Sequence, residues 1–258
     1  MDTKAIVLVA GMGTRLKPLT LKTHKCLTMV NGTPILMNAL EQLWSIGVRD
    51  VVLVVGYLAE NIEEQVGHHY KGMNIQYITN NKYFETNTSY SLKIGMDAVG
   101  SCEKLYILEG DVFFEGKLLD LIEKSSEENV TLVERYKSYL DGTFVALDEE
   151  SYVVDWTHKS MREEGYVLED KYKTINIHKF SRKFMDDILK EELEQICEET
   201  NGKAPFENVM SGIVREHKHM IYGLECGDAK WFEIDDVNDL KMAEKIFMEK
   251  ENETGGIS

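Results

Sequence analysis

The sequence has little positive charge: 29 lysine and arginine residues face 45 aspartate and glutamate residues, and the formal net charge is −16. Because nucleic acids bind basic surfaces, this balance argues against a nucleic-acid partner. No apolar run is long enough to span a bilayer, and residues 1–4 do not begin a signal-peptide pattern. We therefore predict a cytoplasmic protein that binds neither nucleic acid nor membrane.

Cysteine is also scarce, with four residues in 258. Cys26, Cys102, Cys197 and Cys226 are far apart and form no C-x-x-C pair, so we expect reduced cysteines that pack in the interior. The hydrophobic fraction of 43% and the charged fraction of 29% are typical of a globular protein. A chain of this length can bury a substantial core as one domain.

Apolar strands and amphipathic helices alternate through the first half of the chain. In order, the patterns predict strand 5–9, helix 35–46, strand 51–55, helix 58–66, strand 74–78, helix 89–99 and strand 105–108. This alternation indicates an α/β fold with a Rossmann-like, open, mixed and mostly parallel sheet that carries helices on both faces. Ligands bind beyond the carboxyl ends of such strands, where Gly11, Gly56 and Asp111 would meet.

The pattern changes after residue 130. Helices are predicted to begin after Ser181, at Pro205 and at Asp236; the last runs to Lys250, before a frayed glycine-rich tail. We interpret this half as a small α+β elaboration of the same domain. Its short predicted strands are 130–136, 143–147, 152–156, 172–180, 220–224 and 231–235.

A glycine-containing loop follows the first strand. Gly11 and Gly13 lack a Cβ, so a ligand can approach the backbone closely there. Arg15 and Lys25 add positive charge, and such a loop suits a polyphosphate. It has neither the Gly-Lys-Ser/Thr of a Walker loop nor the third glycine of the dinucleotide fingerprint.

The stretch from Gly11 to Lys25 reads G-x-G-T-R-x-x-P-x-T-x-x-x-x-K. It resembles the signature of the nucleotidyltransferases that make NDP-sugars and CDP-alcohols. The resemblance implies a single domain, 1–258, of the nucleotide-diphospho-sugar transferase fold, with a nucleotide-binding core at 1–128 and an acceptor-binding and C-terminal part at 129–258. It also implies Mg²⁺ as cofactor and in-line attack of an acceptor oxyanion on the α-phosphorus of a nucleoside triphosphate.

The resemblance also assigns roles to individual residues. The predicted catalytic residues are Arg15, Lys25 and Asp111. The predicted metal ligands are the carboxylates of Asp111, Glu233 and Asp235, since Mg²⁺ prefers oxygen ligands. The predicted nucleotide-binding residues are Leu8, Ala10, Gly11, Gly13, Thr14, Arg15, Gly56, Tyr57, Asn87, Thr88 and Ser89.

Two nearby carboxylates are left out of the predicted metal site. Glu109 stands two residues before Asp111 at a turn, and we expect it to point away. Asp236 is expected to be the N-cap of the last helix.

The nucleotide and the acceptor are predicted from weaker similarities. The stretch Asn87-Thr-Ser-Tyr-Ser-Leu resembles a segment of CTP-using members, such as bacterial phosphocholine cytidylyltransferases, so we favour CTP over UTP or dTTP. Residues 172–180 are similar to cytidylyltransferases that act on small phosphonates, such as 2-aminoethylphosphonate. The predicted reaction joins CMP to a small phosphorylated or phosphonylated amine or alcohol. Two alternatives stay open: a sugar-1-phosphate nucleotidyltransferase and a catalytically inactive, nucleotide-binding regulator.

Aromatic and polar residues of the second half are candidates for the acceptor site. An aromatic cage with acidic neighbours suits a choline or aminoethyl group. The predicted acceptor-binding residues are Trp156, Tyr172, Asn176 and Trp231. The alternating apolar residues of 144–156 are a candidate homodimer interface.

Overall fold

The computed structural model describes residues 2–248. The predicted end of the last helix at Lys250 and the predicted frayed tail lie outside the described residues. The strands are β1 (Thr3–Val9), β2 (Met29–Val30), β3 (Thr33–Pro34), β4 (Asp50–Val55), β5 (His69–Tyr70), β6 (Met73–Thr79), β7 (Lys104–Glu109), β8 (Val112–Phe114), β9 (Val130–Arg135), β10 (Phe144–Leu147), β11 (Val153–Thr157), β12 (Tyr172–Ser181), β13 (Tyr222–Glu225) and β14 (Trp231–Glu233). The helices are α1 (Ile35–Ser45), α2 (Ala59–Val66), α3 (Thr88–Val99), α4 (Lys117–Lys124), α5 (Arg182–Phe184), α6 (Lys190–Thr200), α7 (Phe206–Glu216) and α8 (Val237–Ile246), and a π-helical turn (Met185–Leu189) joins α5 to α6.

Ten strands form one mixed sheet in the order β11-β10-β12-β7-β1-β4-β6-β5, with β9 paired to β12 and β13 paired to β9. The central strands β7, β1, β4 and β6 run parallel, and β12 is antiparallel to β7. The predicted α/β fold, with an open mixed sheet and helices on both faces, is confirmed. The division of the chain at 128/129 and a homodimer through 144–156 stay predictions.

The sheet separates two hydrophobic cores. Side chains of β1 alternate between them, because successive residues of a strand point to opposite faces. Val7 belongs to the core that includes residues of α1, α2 and α4, and Leu8 belongs to the core that includes residues of α3, α6 and α7. This double burial explains the continuous apolar run of β1. Residues 2–248 contain no helix with the length and apolar composition that crossing a bilayer requires.

A short strand pair joins the two halves of the chain near the predicted metal ligands. Strand β8 follows Asp111 directly and pairs antiparallel with β14, so that Val112 lies opposite Glu233. The sequence pattern predicted neither β8 nor α4, because three strand residues and eight helix residues show too little periodicity. The pairing brings Glu233 and Asp235 to Asp111 across more than 120 residues of sequence.

Two buried histidines should make the fold sensitive to acid. Burial lowers the pKa of His24 to about 4 and that of His178 to about 3, both below the ordinary 6.5. The unfolded chain therefore takes up protons that the folded protein excludes, so stability falls as the pH drops below 6.5. At pH 5 each histidine should lower the free energy of unfolding by about 2 kcal/mol. Urea unfolding measures this effect: between pH 7 and pH 5 the free energy of unfolding of His178→Gln should fall by about 2 kcal/mol less than that of the parent. Equal falls in the two proteins would contradict this prediction.

Candidate active site

Two neighbouring cavities open beyond the carboxyl ends of the central strands. The first, of about 280 Å³, we name the crevice; it follows β1 and β7. The second, of about 320 Å³, we name the side pocket; β12 and β14 line it. Arg15 and Asp235 border both cavities, so the two form one connected region at the predicted ligand-binding edge of the sheet.

The loop between β1 and β2 is anchored by its own side chains. Nδ1 of His24 accepts from the backbone N–H of Cys26 (3.1 Å), so Nε2 carries the proton and donates to the Gly11 carbonyl (2.9 Å). The hydroxyl of Thr20 donates to the carbonyl of Gly13 (2.8 Å), whose φ of 55° is left-handed. These bonds shape the loop that carries Arg15 and Lys25.

Positive and negative side chains meet where the cavities join. Lys25 Nζ lies 2.8 Å from Asp111 Oδ2 and 2.8 Å from Asp235 Oδ1, and Arg15 reaches the same Asp235 oxygen at 2.8 Å. Burial alone would lower the pKa of Lys25, but the two carboxylates outweigh it and raise the pKa above its ordinary value. Lys25 is therefore fully charged at neutral pH, as phosphate binding requires.

Three carboxylates offer a site that fits a divalent cation. One oxygen from each of Asp111, Glu233 and Asp235 lies within 4.8 Å of the other two. Asp111 Oδ1 is buried and has no hydrogen-bond partner, whereas Asp111 Oδ2 is held by Lys25. A buried carboxylate oxygen without a partner is costly, and a hard cation such as Mg²⁺ would compensate it. The predicted ligands are thus close enough to hold one metal ion together.

Most of the predicted nucleotide-binding residues border the crevice. Those that do are Leu8, Ala10, Gly11, Gly13, Thr14, Arg15, Asn87 and Thr88. Asn87 is also the N-cap of α3, where its side chain accepts from the Thr88 backbone N–H (2.8 Å). Their common position supports a single binding site along the loop and the start of α3.

The prediction for Ser89 is wrong. Its side chain is fully buried, and its hydroxyl donates to the carbonyl of Ala204 at 2.6 Å, which fixes α3 to the segment before α7. Ser91 lines the crevice instead, since it lies three residues after Thr88 on the same helix face. Asn80 was also missed; it lines the crevice and donates to Ser91 at 3.0 Å. Helical spacing from Thr88 is the sequence signal that identifies Ser91.

A family model described as nucleotidyl transferase matches residues 4–243. The chain belongs to the nucleotidyl transferase family. The match spans both halves of the chain, so it covers the loop, the carboxylates and the side pocket together. The enzyme class predicted from residues 11–25 is confirmed.

Relatives of this nucleotidyltransferase include two enzymes that are named for cytidylyl chemistry. The CMP-5'-(3-aminopropyl)phosphonate synthase of Streptomyces rubellomurinus is 30% identical over 247 residues, which are 96% of this chain and 39% of that protein. The choline-phosphate cytidylyltransferase of Haemophilus influenzae is 33% identical over 135 residues, 52% of this chain and 54% of that protein. The matched regions thus span less than two thirds of the length of either relative.

Solved structures share the fold of the nucleotidyltransferase. The CTP:phosphocholine cytidylyltransferase of Streptococcus pneumoniae superimposes with a TM-score of 0.74 at 21% identity, covering 96% of this chain and all of that one. A putative glucose-1-phosphate thymidylyltransferase of Bacillus anthracis gives a TM-score of 0.77 at 16% identity and covers 94% of both chains. At these identities the likeness establishes the fold alone.

The expectation that Glu109 points away from Asp111 is wrong, because both residues line the crevice of the nucleotidyltransferase, although Glu109 is not part of the carboxylate cluster. Glu109 lines the crevice and accepts a hydrogen bond from Asn176 Nδ2 at 3.2 Å. Burial, reinforced by the charges of Glu207 and Asp111, raises its pKa well above the ordinary value. Residues Gly110 and Asp111 form a turn after β7 that keeps both acids on the crevice side, which a simple alternation from Asp111 does not predict.

The side pocket contains only two of the four predicted acceptor-binding residues. Asn176 and Trp231 line it. Trp156 is 2% exposed within the core under α7, so the structure keeps it out of the pocket. Tyr172 is partly buried at the edge of the same core and does not line the pocket, and its acceptor contact stays a prediction. Asn176 reaches the pocket because β12 bulges between Thr174 and His178, with Asn176 at a φ of 59°. Lys173 and Glu207 also line the pocket.

Gly56 and Tyr57 support the nucleotidyltransferase loop from behind and do not line the crevice. The Tyr57 hydroxyl donates to the Thr20 carbonyl at 3.1 Å, and its backbone N–H donates to the Ala10 carbonyl at 3.1 Å. A Cβ on Gly56 would lie 2.7 Å from that Ala10 oxygen and 2.8 Å from Tyr83 Cβ. The structure thus gives Gly56 and Tyr57 a role in loop packing, and their contacts with a nucleotide stay predictions.

Substitutions at Gly56 and Gly11 should distinguish a role in loop packing from a role in nucleotide binding. Gly56→Ala forces backbone to move and should lower the free energy of unfolding by about 1–3 kcal/mol. A Cβ on Gly11 meets nothing within 4 Å, so Gly11→Ala should leave stability unchanged while it narrows the crevice and raises the KM for the nucleotide. Urea unfolding and steady-state kinetics measure the two effects. A parent-like stability for Gly56→Ala would contradict the tight contact.

Proposed function

We propose that this chain transfers a cytidylyl group from CTP to a small phosphorylated or phosphonylated amine or alcohol and releases pyrophosphate. The observation that carries the proposal is the junction of the two cavities. Arg15 and Asp235 border both, and Lys25, Asp111 and Glu233 lie beside them. A nucleoside triphosphate in the crevice and an acceptor in the side pocket would place their reacting phosphorus groups at these charges.

The reaction follows from this arrangement. An oxygen of the acceptor's phosphate or phosphonate forms a bond to the α-phosphorus, and the bond from that phosphorus to the bridging oxygen breaks, so pyrophosphate leaves. The attacking oxygen is already ionised at neutral pH, and no general base is required. Arg15 and Lys25 hold the phosphates in line and stabilise the charge of the transition state. Mg²⁺ on Asp111, Glu233 and Asp235 would supply further positive charge at the phosphate oxygens.

The choice of CTP rests on similarity. Two relatives carry CMP transfer in their printed names, and one of them matches almost the whole chain. Another relative, of Haloferax volcanii, is named a UTP–glucose-1-phosphate uridylyltransferase, at 33% identity over 48% of this chain. We favour the cytidylyl reaction because the match that extends through β12 and β14 is to the phosphonate enzyme.

The acidic wall of the side pocket favours an acceptor with an ammonium group. Glu207 lines the pocket and accepts a hydrogen bond from the Thr143 hydroxyl at 3.3 Å. The negative charge of Glu207 contributes to the raised pKa of Glu109. Within residues 2–248 neither glutamate forms an ion pair with a lysine or arginine. A cationic end group of the acceptor would compensate the charge of Glu207, while the phosphorus end of the acceptor meets the cations at the junction.

Glu207→Gln should therefore discriminate between acceptors. The loss of one charged hydrogen bond should raise the KM for 2-aminoethylphosphonate about tenfold. Glycerol phosphate has no ammonium group, so its KM should change less than about twofold. Steady-state assays with both acceptors measure this. Equal changes for both acceptors would show that Glu207 does not bind the ammonium group.

The function is tested by measuring pyrophosphate release with CTP and Mg²⁺ against five acceptors. These are phosphocholine, 2-aminoethylphosphonate, phosphoethanolamine, glycerol phosphate and glucose-1-phosphate. We expect release with one or more of the first four, and less with UTP or dTTP. Pyrophosphate release with glucose-1-phosphate alone would identify the protein as a sugar-1-phosphate nucleotidyltransferase. If a folded protein binds nucleotide but releases no pyrophosphate with any combination of nucleotide and acceptor, the result would favour a catalytically inactive, nucleotide-binding regulator.

A further inference from the structure

Lys173 is a buried lysine in the wall of the side pocket. It belongs to β12, its side chain is 3% exposed, and it lines the side pocket without bordering the crevice. Burying an ammonium group is costly unless partners compensate its charge. The contacts of the Lys173 ammonium group therefore indicate its function.

The ammonium group of Lys173 has two protein partners. Nζ lies 2.9 Å from Glu233 Oε2 and donates to the Thr174 carbonyl at 2.7 Å. An ammonium group has three N–H donors, so these partners leave one for a ligand. Nζ also lies 5.8 Å from the ring centroid of Trp231, which lines the same pocket.

Lys173 and Lys25 approach the carboxylate cluster from opposite cavities. Lys25 lines the crevice and binds Asp111 and Asp235. Lys173 lines the side pocket and binds Glu233, whose oxygen belongs to the same cluster. Each cavity therefore has its own buried lysine next to the candidate metal ligands. Two substrates that both carry phosphorus oxyanions would each meet one of them.

The pocket wall is fitted to the end of this lysine. A Cβ on Gly142 would lie 3.1 Å from Lys173 Cε and 3.3 Å from Nζ, and the φ of Gly142 is +104°. Glycine thus provides both the backbone conformation and the space that the side chain occupies. Other cations of the pocket are less constrained: Lys159 is 44% exposed and pairs with Asp141 on the surface.

We propose that Lys173 binds the phosphorus oxyanion of the acceptor in the side pocket. The inference rests on the proposed function and adds the residue that receives the acceptor's anionic end. Lys25 then serves the nucleotide phosphates, and Glu233 keeps Lys173 ordered through their ion pair. Lys173 thereby links the acceptor to Glu233, one of the candidate metal ligands.

The test compares the binding of methylphosphonate, the smallest phosphonate, to two variants by isothermal titration calorimetry without nucleotide. The single variant Glu233→Gln keeps Lys173, and the double variant Glu233→Gln/Lys173→Met removes the charges of both residues. Because both variants lack the Glu233 carboxylate, neither leaves a buried carboxylate facing an apolar group. We expect the double variant to bind about ten- to a hundredfold more weakly than Glu233→Gln, as for the loss of one charged hydrogen bond. Affinities within twofold of each other would overturn the proposal.

A control and a kinetic measurement isolate the role of Lys173. Lys179 lies on the same strand, is 3% exposed, and donates to the Ile122 carbonyl at 3.2 Å, away from both cavities. Lys179→Met should leave methylphosphonate binding unchanged. With an accepted substrate, Lys173→Met should raise the acceptor KM at least tenfold and the CTP KM less than about threefold. An equal rise in both KM values would overturn the proposal.

The calorimetric result is independent of turnover. If no acceptor supports pyrophosphate release, the proposed function fails. The difference in methylphosphonate affinity between Glu233→Gln and Glu233→Gln/Lys173→Met still reports anion binding by Lys173. If turnover occurs and the two proteins bind methylphosphonate equally, the reaction stands and the role of Lys173 is excluded.

Discussion

Replacement of Asp111 by asparagine should reduce kcat for pyrophosphate release by roughly 10³-fold. Asparagine preserves the size of the side chain but removes the negative charge that a divalent cation requires. The Oδ1 atom of Asp111 is buried and has no hydrogen-bond partner, while Oδ2 accepts from Lys25 at 2.8 Å. One oxygen of Asp111 lies within 4.8 Å of oxygens of Glu233 and Asp235, so the substitution removes the charge of one of three candidate ligands.

The measurement for Asp111→Asn has two parts. Pyrophosphate release gives kcat, and the change in melting temperature with added Mn²⁺ reports metal binding without turnover. Asp228→Asn is a suitable control, because Asp228 is 84% exposed and pairs with Lys117 on the surface. We expect the control to behave as the parent in both assays. A kcat of Asp111→Asn within threefold of the parent would show that Asp111 does not hold the metal.

The sequence predicted the parts of the site that depend on local pattern. Arg15 and Lys25 were predicted because the loop signature follows a strand with a continuous apolar run, and the structure places both side chains at the junction of the two cavities. The carboxyl ends of parallel strands meet at one edge, which placed Asp111 near the loop. These inferences needed no knowledge of how distant segments pair.

The errors arose where distant segments decide the position of a side chain. Trp156 was predicted to bind the acceptor from its type and neighbours, but its face of β11 is set by pairing with β10 and by the helix α7 above it. Glu109 and Lys173 reach the cavities through a turn after β7 and a bulge in β12. Neither irregularity leaves a periodic signal in the sequence.

Glu233 shows how the sequence can suggest a candidate residue without its geometry. Its sequence context suggested a third metal ligand, and the structure brings its oxygen within 4.8 Å of those of Asp111 and Asp235. What positions it is the pairing of β14 with β8, a strand of three residues that the sequence pattern did not reveal. Its ion pair with Lys173 was likewise hidden, because 60 residues separate the two in the chain.

Lys25→Met should separate metal binding from catalysis. Methionine keeps an unbranched apolar side chain in the space of the lysine stem but removes the charge that faces the nucleotide phosphates. We expect kcat/KM for CTP to fall by about a hundredfold or more, as for other single groups that stabilise transition-state charge. Metal binding should change in the opposite direction. In the parent, a cation must share Asp111 and Asp235 with an ammonium group 2.8 Å from each.

Removing that ammonium group takes away the ion pair of Asp111 and leaves Asp235 paired with Arg15, so the two carboxylates face each other with one positive charge fewer. Their repulsion should lower the melting temperature of Lys25→Met in EDTA, and added Mn²⁺ should stabilise the variant more than it stabilises the parent. Lys22→Met changes an exposed lysine of the same loop and should alter neither property. If Lys25→Met lost Mn²⁺ stabilisation together with activity, Lys25 would be required to assemble the carboxylates, and its proposed role at the phosphates would have to be abandoned.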